Sequence, residues 1–322
     1  WYKNRFVMNK KQSILITGGA GYIGSMLSTE LVKIGYKVTV LDNLTYKKNS
    51  LSHLKNKKNF RLIVGSVLNK SLIKRSIKNH DFIIPLAGLV GAPLCDKFPK
   101  LARLVNLESV IFMRKCLEKN QKVIFATTNS GYGVGKKNKF CTERSKLNPI
   151  SLYGRTKVDA EKTVMTFKNT VAFRLATVFG YSYRMRTDLL VNFLVNMAIR
   201  NKKITIFEPH FRRNYIHVID VANAFIFALE NFSKMKGNIY NVGLSNANLT
   251  KLQLAKRITK NIKGIKINLL KNKKDPDKRD YFVSNKKIEK LGFRPSISLD
   301  DGIIELKNLF NTFNFRDNKN NY

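Results

Sequence analysis

Short runs of β-branched and aliphatic residues alternate along this chain with longer stretches whose apolar positions recur every three to four residues. Strands buried on both faces, joined by helices buried on one, produce that alternation, and a parallel α/β sheet is its usual result. Ser13–Thr17 (SILIT) reads as a first strand, followed by a glycine-rich turn and a helix to about Ile34. Further strands are predicted at Lys37–Leu41, Arg61–Val64, Phe82–Leu86, Val123–Thr127 and Thr170–Leu175, with helices over about Lys100–Glu118 and Ser151–Lys168. Beyond Gly180 the alternation loosens. Helices are expected over about Leu189–Arg200, Val218–Asn231, Lys251–Ile262 and Ile303–Phe313, with one short strand near Ile204–Phe207.

The fold class is therefore α/β: a doubly wound parallel sheet over 9–180 and a smaller C-terminal α/β lobe over 181–322, with segments of the lobe returning to the first domain. Residues 1–8 read as an upstream extension outside the fold, because Met8 looks like the natural start. At 322 residues with 43% hydrophobic side chains, the chain has apolar surface enough for a sizeable core, which excludes a disordered protein. No apolar run approaches the ~18 residues of a membrane-spanning helix, and the first eight residues hold no secretory apolar segment. Cys95, Cys116 and Cys141 are odd in number and lack metal-like spacing, so a reducing, cytoplasmic setting without a bound metal is expected.

Charge changes the picture only in part. Sixty Lys and Arg against 21 Asp and Glu give a net charge of +39. The lysines are scattered (Lys47-Lys48, Lys57-Lys58, Lys136-Lys137, Lys202-Lys203, Lys273-Lys274, Lys286-Lys287) and no basic arm forms. Compositional drift toward Lys and Asn, together with an anionic ligand, accounts for this. Nucleic acid would be attracted non-specifically at low salt only.

Two constellations carry chemistry. Gly18-Gly19-Ala20-Gly21-Tyr22-Ile23-Gly24 falls between the first strand and the first helix. Glycines there let the backbone turn tightly and approach a pyrophosphate held at the helix N-terminus. Asp42 ends the second strand, where a carboxylate accepts hydrogen bonds from the adenosine ribose and repels a 2′-phosphate, so NAD is favoured over NADP. Tyr153 and Lys157, four apart on a predicted helix, share one face. A neighbouring ammonium would lower the tyrosine pKa and let the phenol exchange a proton with a sugar hydroxyl.

With these motifs in order, the chain resembles the extended short-chain dehydrogenase/reductase family of NAD-dependent nucleotide-sugar epimerases and dehydratases, over about Lys10–Phe313. The resemblance rests on TGGAGYIG, Asp42-Asn43-Leu44, Leu86-Ala87-Gly88, Asn106, Thr128 with Tyr132-Gly133, Tyr153/Lys157, and Arg213 through Val218 (RNYIHV). It implies Tyr153 as catalytic base, Lys157 as the residue that tunes it and holds the nicotinamide ribose, and Thr128 as hydroxyl partner. It implies cofactor contacts from Gly18, Gly21, Tyr22, Ile23, Gly24, Asp42, Asn43, Ser66, Val67, Leu86, Ala87, Gly88 and Asn106. Arg213 would grip the diphosphate of the substrate, Arg279 would bind its phosphate or ribose, and Asn192 would also contact the substrate. A homodimer is implied through the helices of Lys100–Glu118 and Tyr153, with Leu101, Leu104, Val105, Val158 and Val164 as apolar contacts or as residues facing the sheet.

Departures matter as well. Gly65-Ser66-Val67 replaces the family's Gly-Asp-Ile/Val, so a carboxylate contact to adenine is lost. His217 and Asp220 are expected to be structural, and the Phe225/Phe227/Leu229 stripe to be packing. Asn129 and Ser130 follow Thr128 where a 4,6-dehydratase of the family has Asp-Glu, so dehydration is not expected. Leu89–Cys95, Thr128–Gly133, Arg184-Met185-Arg186 with Leu189–Asn192, and Asp275–Tyr281 resemble a subgroup from bacterial capsule clusters that includes GDP-heptose 4-dehydrogenases. That likeness implies C4 oxidation of a GDP-sugar. The alternatives are a nucleotide-sugar 4-epimerase, or a non-catalytic RNA-binding protein, which would be expected to have lost Tyr153 or Lys157.

Overall fold

The structure is a computed structural model and describes residues 12–46, 49–136, 139–270 and 279–313. The proposed extension 1–8, the stretch Asp275–Lys278 and the pairs Lys47-Lys48 and Lys273-Lys274 lie outside the described residues.

Seven parallel strands form the central sheet: β1 Ser13–Thr17, β2 Lys37–Asp42, β3 Phe60–Val64, β4 Phe82–Pro85, β5 Lys122–Thr128, β6 Thr170–Leu175 and β7 Asn238–Val242. Their spatial order is β7-β6-β5-β4-β1-β2-β3. Every neighbouring pair is parallel, with Ile16 beside Val40 on one side and beside Ile84 on the other. Side-chain alternation divides the core. Ile14 and Ile16 face the layer that holds Leu27, Leu31, Phe82 and Phe225, whereas Leu15 faces Ile83, Val123, Phe125 and Val164. Each face is thus covered by helices, as a fully parallel sheet requires.

Six of the seven strands coincide with sequence expectation to within two residues. The seventh, β7, was not expected, and it pairs in parallel with β6 through Tyr240 opposite Phe173. The helix Val218–Glu230, also from the later part of the chain, packs on the helix Tyr22–Lys33 beneath the sheet. The helix anticipated over Lys100–Glu118 is one path in three pieces, Pro99–Arg103, a wide π-type turn Leu104–Glu108, and Ser109–Cys116. Such turns re-aim side chains and are often found at functional sites.

The remaining elements build a second core of Val191, Leu194, Ile204, Ile206, Leu254 and Ile303 among others. The strand Arg212–His217 lies between Thr177–Phe179 and Asn248–Thr250, while Lys203–Phe207 pairs with Lys266–Leu270. Thr250 and Gln253 form a reciprocal capping box that starts the helix Lys251–Asn261. Among the described residues no helix is long and apolar enough to cross a membrane.

Candidate active site

β1 pairs with β2 on one side and with β4 on the other, so the chain leaves its C-terminus in opposite directions and a crevice opens there. A cavity of about 910 Å³ fills that crevice, bounded by the glycine turn, Asp42, Thr128, Tyr153 and Lys157. Gly18 has φ +72°, and a Cβ there would lie 2.5 Å from the Ala87 backbone nitrogen. A Cβ on Gly24 would collide with the Gly18 carbonyl oxygen. Only glycine permits this close stacking of turn, β4 end and helix. The helix Tyr22–Lys33 starts without a side-chain cap, which leaves its first N–H groups for an anion.

Asp42 is fixed beside the turn. Its Oδ2 accepts from the Ala20 N–H at 3.0 Å and its Oδ1 from the Leu44 N–H at 2.8 Å. Burial pushes its pKa up, and these two bonds together with Arg184 oppose the rise. Asn43, Ser66, Val67, Leu86, Ala87, Gly88, Tyr22 and Ile23 also border the cavity. The Asn43 side chain accepts from Thr45, and Ser66 Oγ accepts from the Leu68 N–H at 3.1 Å, so both shape the loops they belong to. The cradle of glycines, the uncapped helix and the fixed carboxylate fit a dinucleotide.

Ser151 Oγ accepts from the Gly154 N–H at 3.1 Å and starts the helix Leu152–Met165. Tyr153 and Lys157 therefore stand on its first two turns, on the face toward β5. Tyr153 is close enough to Thr128 to feel its hydroxyl, and Thr128 Oγ1 is 2.8 Å from Ser130 Oγ. Ser130 Oγ in turn receives a bond from the Arg279 guanidinium. The relation of Tyr153 to Lys157 corrects the sequence reading. Lys157 Nζ lies 4.4 Å from the centre of the Phe125 ring and burial lowers it to about 8. Burial, assisted by Cys95, pushes Tyr153 up to about 12, and the groups that oppose the rise are Arg279, Arg186 and Thr128. In the protein alone, desolvation outweighs attraction, and the phenol is neutral.

Two other expected site residues stand behind the wall. Asn192 is wholly buried, and its amide is bonded to the Gly180 N–H, the Arg186 carbonyl and Tyr22. Asn106 accepts from the Leu89 N–H at 2.8 Å and donates to the Leu89 carbonyl at 3.0 Å. Each holds a loop that borders the cavity, and neither side chain is spare for a ligand. Arg213, almost fully buried, lines the cavity with Arg279 and donates to the Arg279 carbonyl. His217 and Asp220 are turned inward: His217 Nε2 is 2.9 Å from Glu305, and Asp220 accepts from Ser296 and Ile297.

Arg184, Arg186, Tyr46 and Lys251 line the same cavity. Arg184 and Arg186 entered the sequence reading only as part of a subgroup motif, with no role. Lys251 Nζ donates to the Phe207 carbonyl at 2.9 Å, and only its position next to the N-cap Thr250 distinguishes it in the sequence.

A tyrosine beside a threonine, with a lysine one turn on, facing a dinucleotide crevice, defines a short-chain type of dehydrogenase/reductase. Residues 14–243 match the model of the NAD dependent epimerase/dehydratase family, and the chain belongs to that family. NAD is accordingly its cofactor, and solved structures of the same fold carry it. A dTDP-D-glucose 4,6-dehydratase of Dictyostelium discoideum is 28% identical over 273 residues, covering 77% of this chain and 61% of that protein's length. A CDP-paratose 2-epimerase of Salmonella typhi is 27% identical over 329 residues, covering 90% and 96%. The UDP-glucose 4-epimerase of Thermotoga maritima, solved with UDP-glucose, superposes with a TM-score of 0.83 at 25% identity over 94% of this chain and 99% of that one. The chain is thus an enzyme of the nucleotide-sugar epimerase/dehydratase type.

Proposed function

We propose that the enzyme oxidises the C4 hydroxyl of a nucleotide-diphosphate sugar, with GDP-sugars favoured, during synthesis of a surface polysaccharide such as a capsule. The observation that carries this is the neighbouring Tyr153 and Thr128 on the cavity wall, with Thr128 linked through Ser130 to Arg279. Thr128 and Tyr153 hold the sugar hydroxyl, and Tyr153 takes its proton as the C4 hydrogen leaves. When bound, NAD supplies the hydride acceptor and a positively charged ring that favours the phenolate. Lys157 orients the cofactor ribose and passes the proton outward. Arg213 and Arg279 hold the substrate diphosphate on the wall that continues from Ser130, which leaves the sugar directed at Tyr153. In this reading residues 9–180 hold the cofactor and 181–322 shape the substrate side. GDP preference rests on the subgroup motifs, while the relatives are named for UDP, dTDP and CDP sugars. We also propose a homodimer through the helices of Leu104 and Tyr153.

A second reading, 4-epimerisation, is favoured by the relatives that bear that name. One experiment separates the two. The protein is incubated with NAD and GDP-, UDP-, CDP- and dTDP-sugars in turn, and products are read by NMR. A 4-keto sugar with stoichiometric NADH supports oxidation. A C4 epimer formed with no external acceptor supports epimerisation. Turnover of none of them defeats both.

A further inference from the structure

Residues 180–192 run from the end of the strand Thr177–Phe179 to the helix Leu190–Asn201, and they are stitched to the first turn of the helix Tyr22–Lys33. Tyr22 Oη donates to the Gly180 carbonyl at 2.7 Å, and Ser182 Oγ donates to the Tyr22 carbonyl at 2.7 Å. Ser182 Oγ is also 3.0 Å from Ser25 Oγ. Asn192 Nδ2 donates to the Arg186 carbonyl at 2.8 Å and fixes the strap at its other end.

This strap aims two guanidinium groups into the cavity. Arg184 and Arg186 are 3% and 5% exposed, as buried as the hydrophobic core around them. Arg184 lies 4.4 Å over the Tyr46 ring and acts on Asp42, which places it by the adenosine end of the crevice. Arg186 pairs with Asp188 and is close enough to act on both Tyr22, at the glycine turn, and Tyr153. Burial and the like charge of Arg186 pull Arg184 down to about 10, against the opposite pull of Asp188, Tyr46 and Asp42. Asp188 already pairs with Arg186, and a bound anion would add a further counter-charge to these two crowded cations in a desolvated wall.

We infer that Arg184 and Arg186 form a preorganised clasp on the pyrophosphate of the bound dinucleotide, opposite the glycine turn, and keep NAD resident through successive turnovers. The shared chemistry, a diphosphate, could come from cofactor or from substrate. Arg184 stands with Asp42 and Tyr46 and Arg186 reaches Tyr22, which is the cofactor side, while Arg186 also pairs with Asp188 and reaches Tyr153 at the reacting end. Arg213 and Arg279 stand instead with Tyr281 and Ser130. A preformed clasp loses little entropy on binding, so its effect falls mainly on the rate of release.

The test reads cofactor retention and needs no sugar substrate. NAD is quantified after gel filtration, and its dissociation rate is measured by trapping released NAD with excess dehydrogenase. Arg184→Gln, and Arg186→Gln combined with Asp188→Asn so that no buried carboxylate is stranded, should each release NAD on the order of tenfold faster or more. Arg213→Gln should keep the wild-type rate. On unaltered protein stripped of cofactor, ADP-ribose should raise the melting temperature strongly at low salt and less at high salt, whereas adenosine should not. NAD release at the wild-type rate in both arginine variants, with a raised KM for the nucleotide sugar, would assign the clasp to the substrate and overturn the inference. Equal, salt-independent protection by ADP-ribose and adenosine would overturn it too.

Discussion

Tyr22 donates its hydroxyl to the carbonyl of Gly180 at 2.7 Å, joining the turn that cradles the cofactor to a backbone 158 residues further along the chain. The phenol is buried, and burial pushes its pKa well above the usual tyrosine range, so it is a neutral donor at any working pH. Tyr22→Phe removes the short bond to the Gly180 carbonyl, which keeps only the 3.4 Å contact from Asn192 Nδ2. The expected loss is about 1–3 kcal/mol of unfolding free energy, read from urea denaturation of the cofactor-free protein. An unchanged midpoint would mean that the tie is replaced by water at no cost.

Tyr153→Phe should stop turnover and leave NAD bound, because it deletes the proton acceptor and keeps the ring that packs in the wall. General acid–base groups contribute roughly 10²–10⁴-fold to rate. Turnover of the variant within twofold of the parent would remove Tyr153 from the proposed chemistry.

The strands were legible because each is a run of apolar residues closed by a turn signal, as in Ser13–Thr17 before the glycines. The glycine turn, Asp42 and the Tyr153–Lys157 pair could be read for a related reason: each is local, and its spacing is set by one strand or one helix. β7 escaped because Asn238 and Asn241 interrupt it. Asn241 is fully buried and accepts from the Tyr132 hydroxyl at 2.6 Å, a long-range use of a polar residue that no periodicity announces. Asn192 was misread for the mirror-image reason. It belongs to a motif near the site, but its three backbone contacts, to Gly180 and Arg186, exist only once the strap has folded. Arg184 and Arg186 sit in a loop, where neither strand nor helix period indicates direction.

Lys157 gives a stability signature with a definite sign. Its folded pKa is lowered to about 8 from an ordinary 10.5, chiefly by burial. Between those values the unfolded chain holds more protons at this site than the folded one, so stability rises with pH across that window. Tyr153, whose pKa is raised, stays protonated in both states below about 10. Lys157→Met should therefore be more stable than the parent at pH 7, with the gap closing toward pH 10. Urea midpoints of the cofactor-free proteins at several pH values read this directly. A gap independent of pH would show that the ammonium is not penalised by its surroundings.

Assembly is constrained by which apolar residues remain outside. Val158 and Val164, considered as dimer contacts, are buried against the chain's own core, Val105 borders the cavity, and Leu101 borders it while remaining 41% exposed. Leu104, 45% exposed, is left on the outer face with the polar Arg155, Asp159 and Lys162 of the neighbouring helix. The proposed homodimer should then be sensitive to Leu104→Glu, which should lower the mass measured by light scattering to that of one chain. A single-chain mass for the unaltered protein at micromolar concentration would reject the dimer.

The fate of the oxidised sugar is the sharpest chemical prediction. A keto group at C4 acidifies the C5 proton, and a 4,6-dehydratase must remove that proton and protonate the departing C6 hydroxyl. Both tasks call for groups that can hold a proton beside the sugar. Asn129 is 1% exposed and its amide has no hydrogen-bond partner among the described residues, while Ser130 is engaged by Thr128 and Arg279. Among the described residues, the carboxylates that line the cavity are Asp42 and Asp188. Asp42 accepts from the Ala20 and Leu44 backbone, and Asp188 is paired with Arg186. Neither is poised to shuttle a proton to C6. Turnover in D₂O should therefore give a product that retains its C6 hydroxyl, detected by NMR and mass spectrometry. Loss of that hydroxyl with deuterium entering C5 would show that elimination occurs, and would point to Asp188 as the group to replace first.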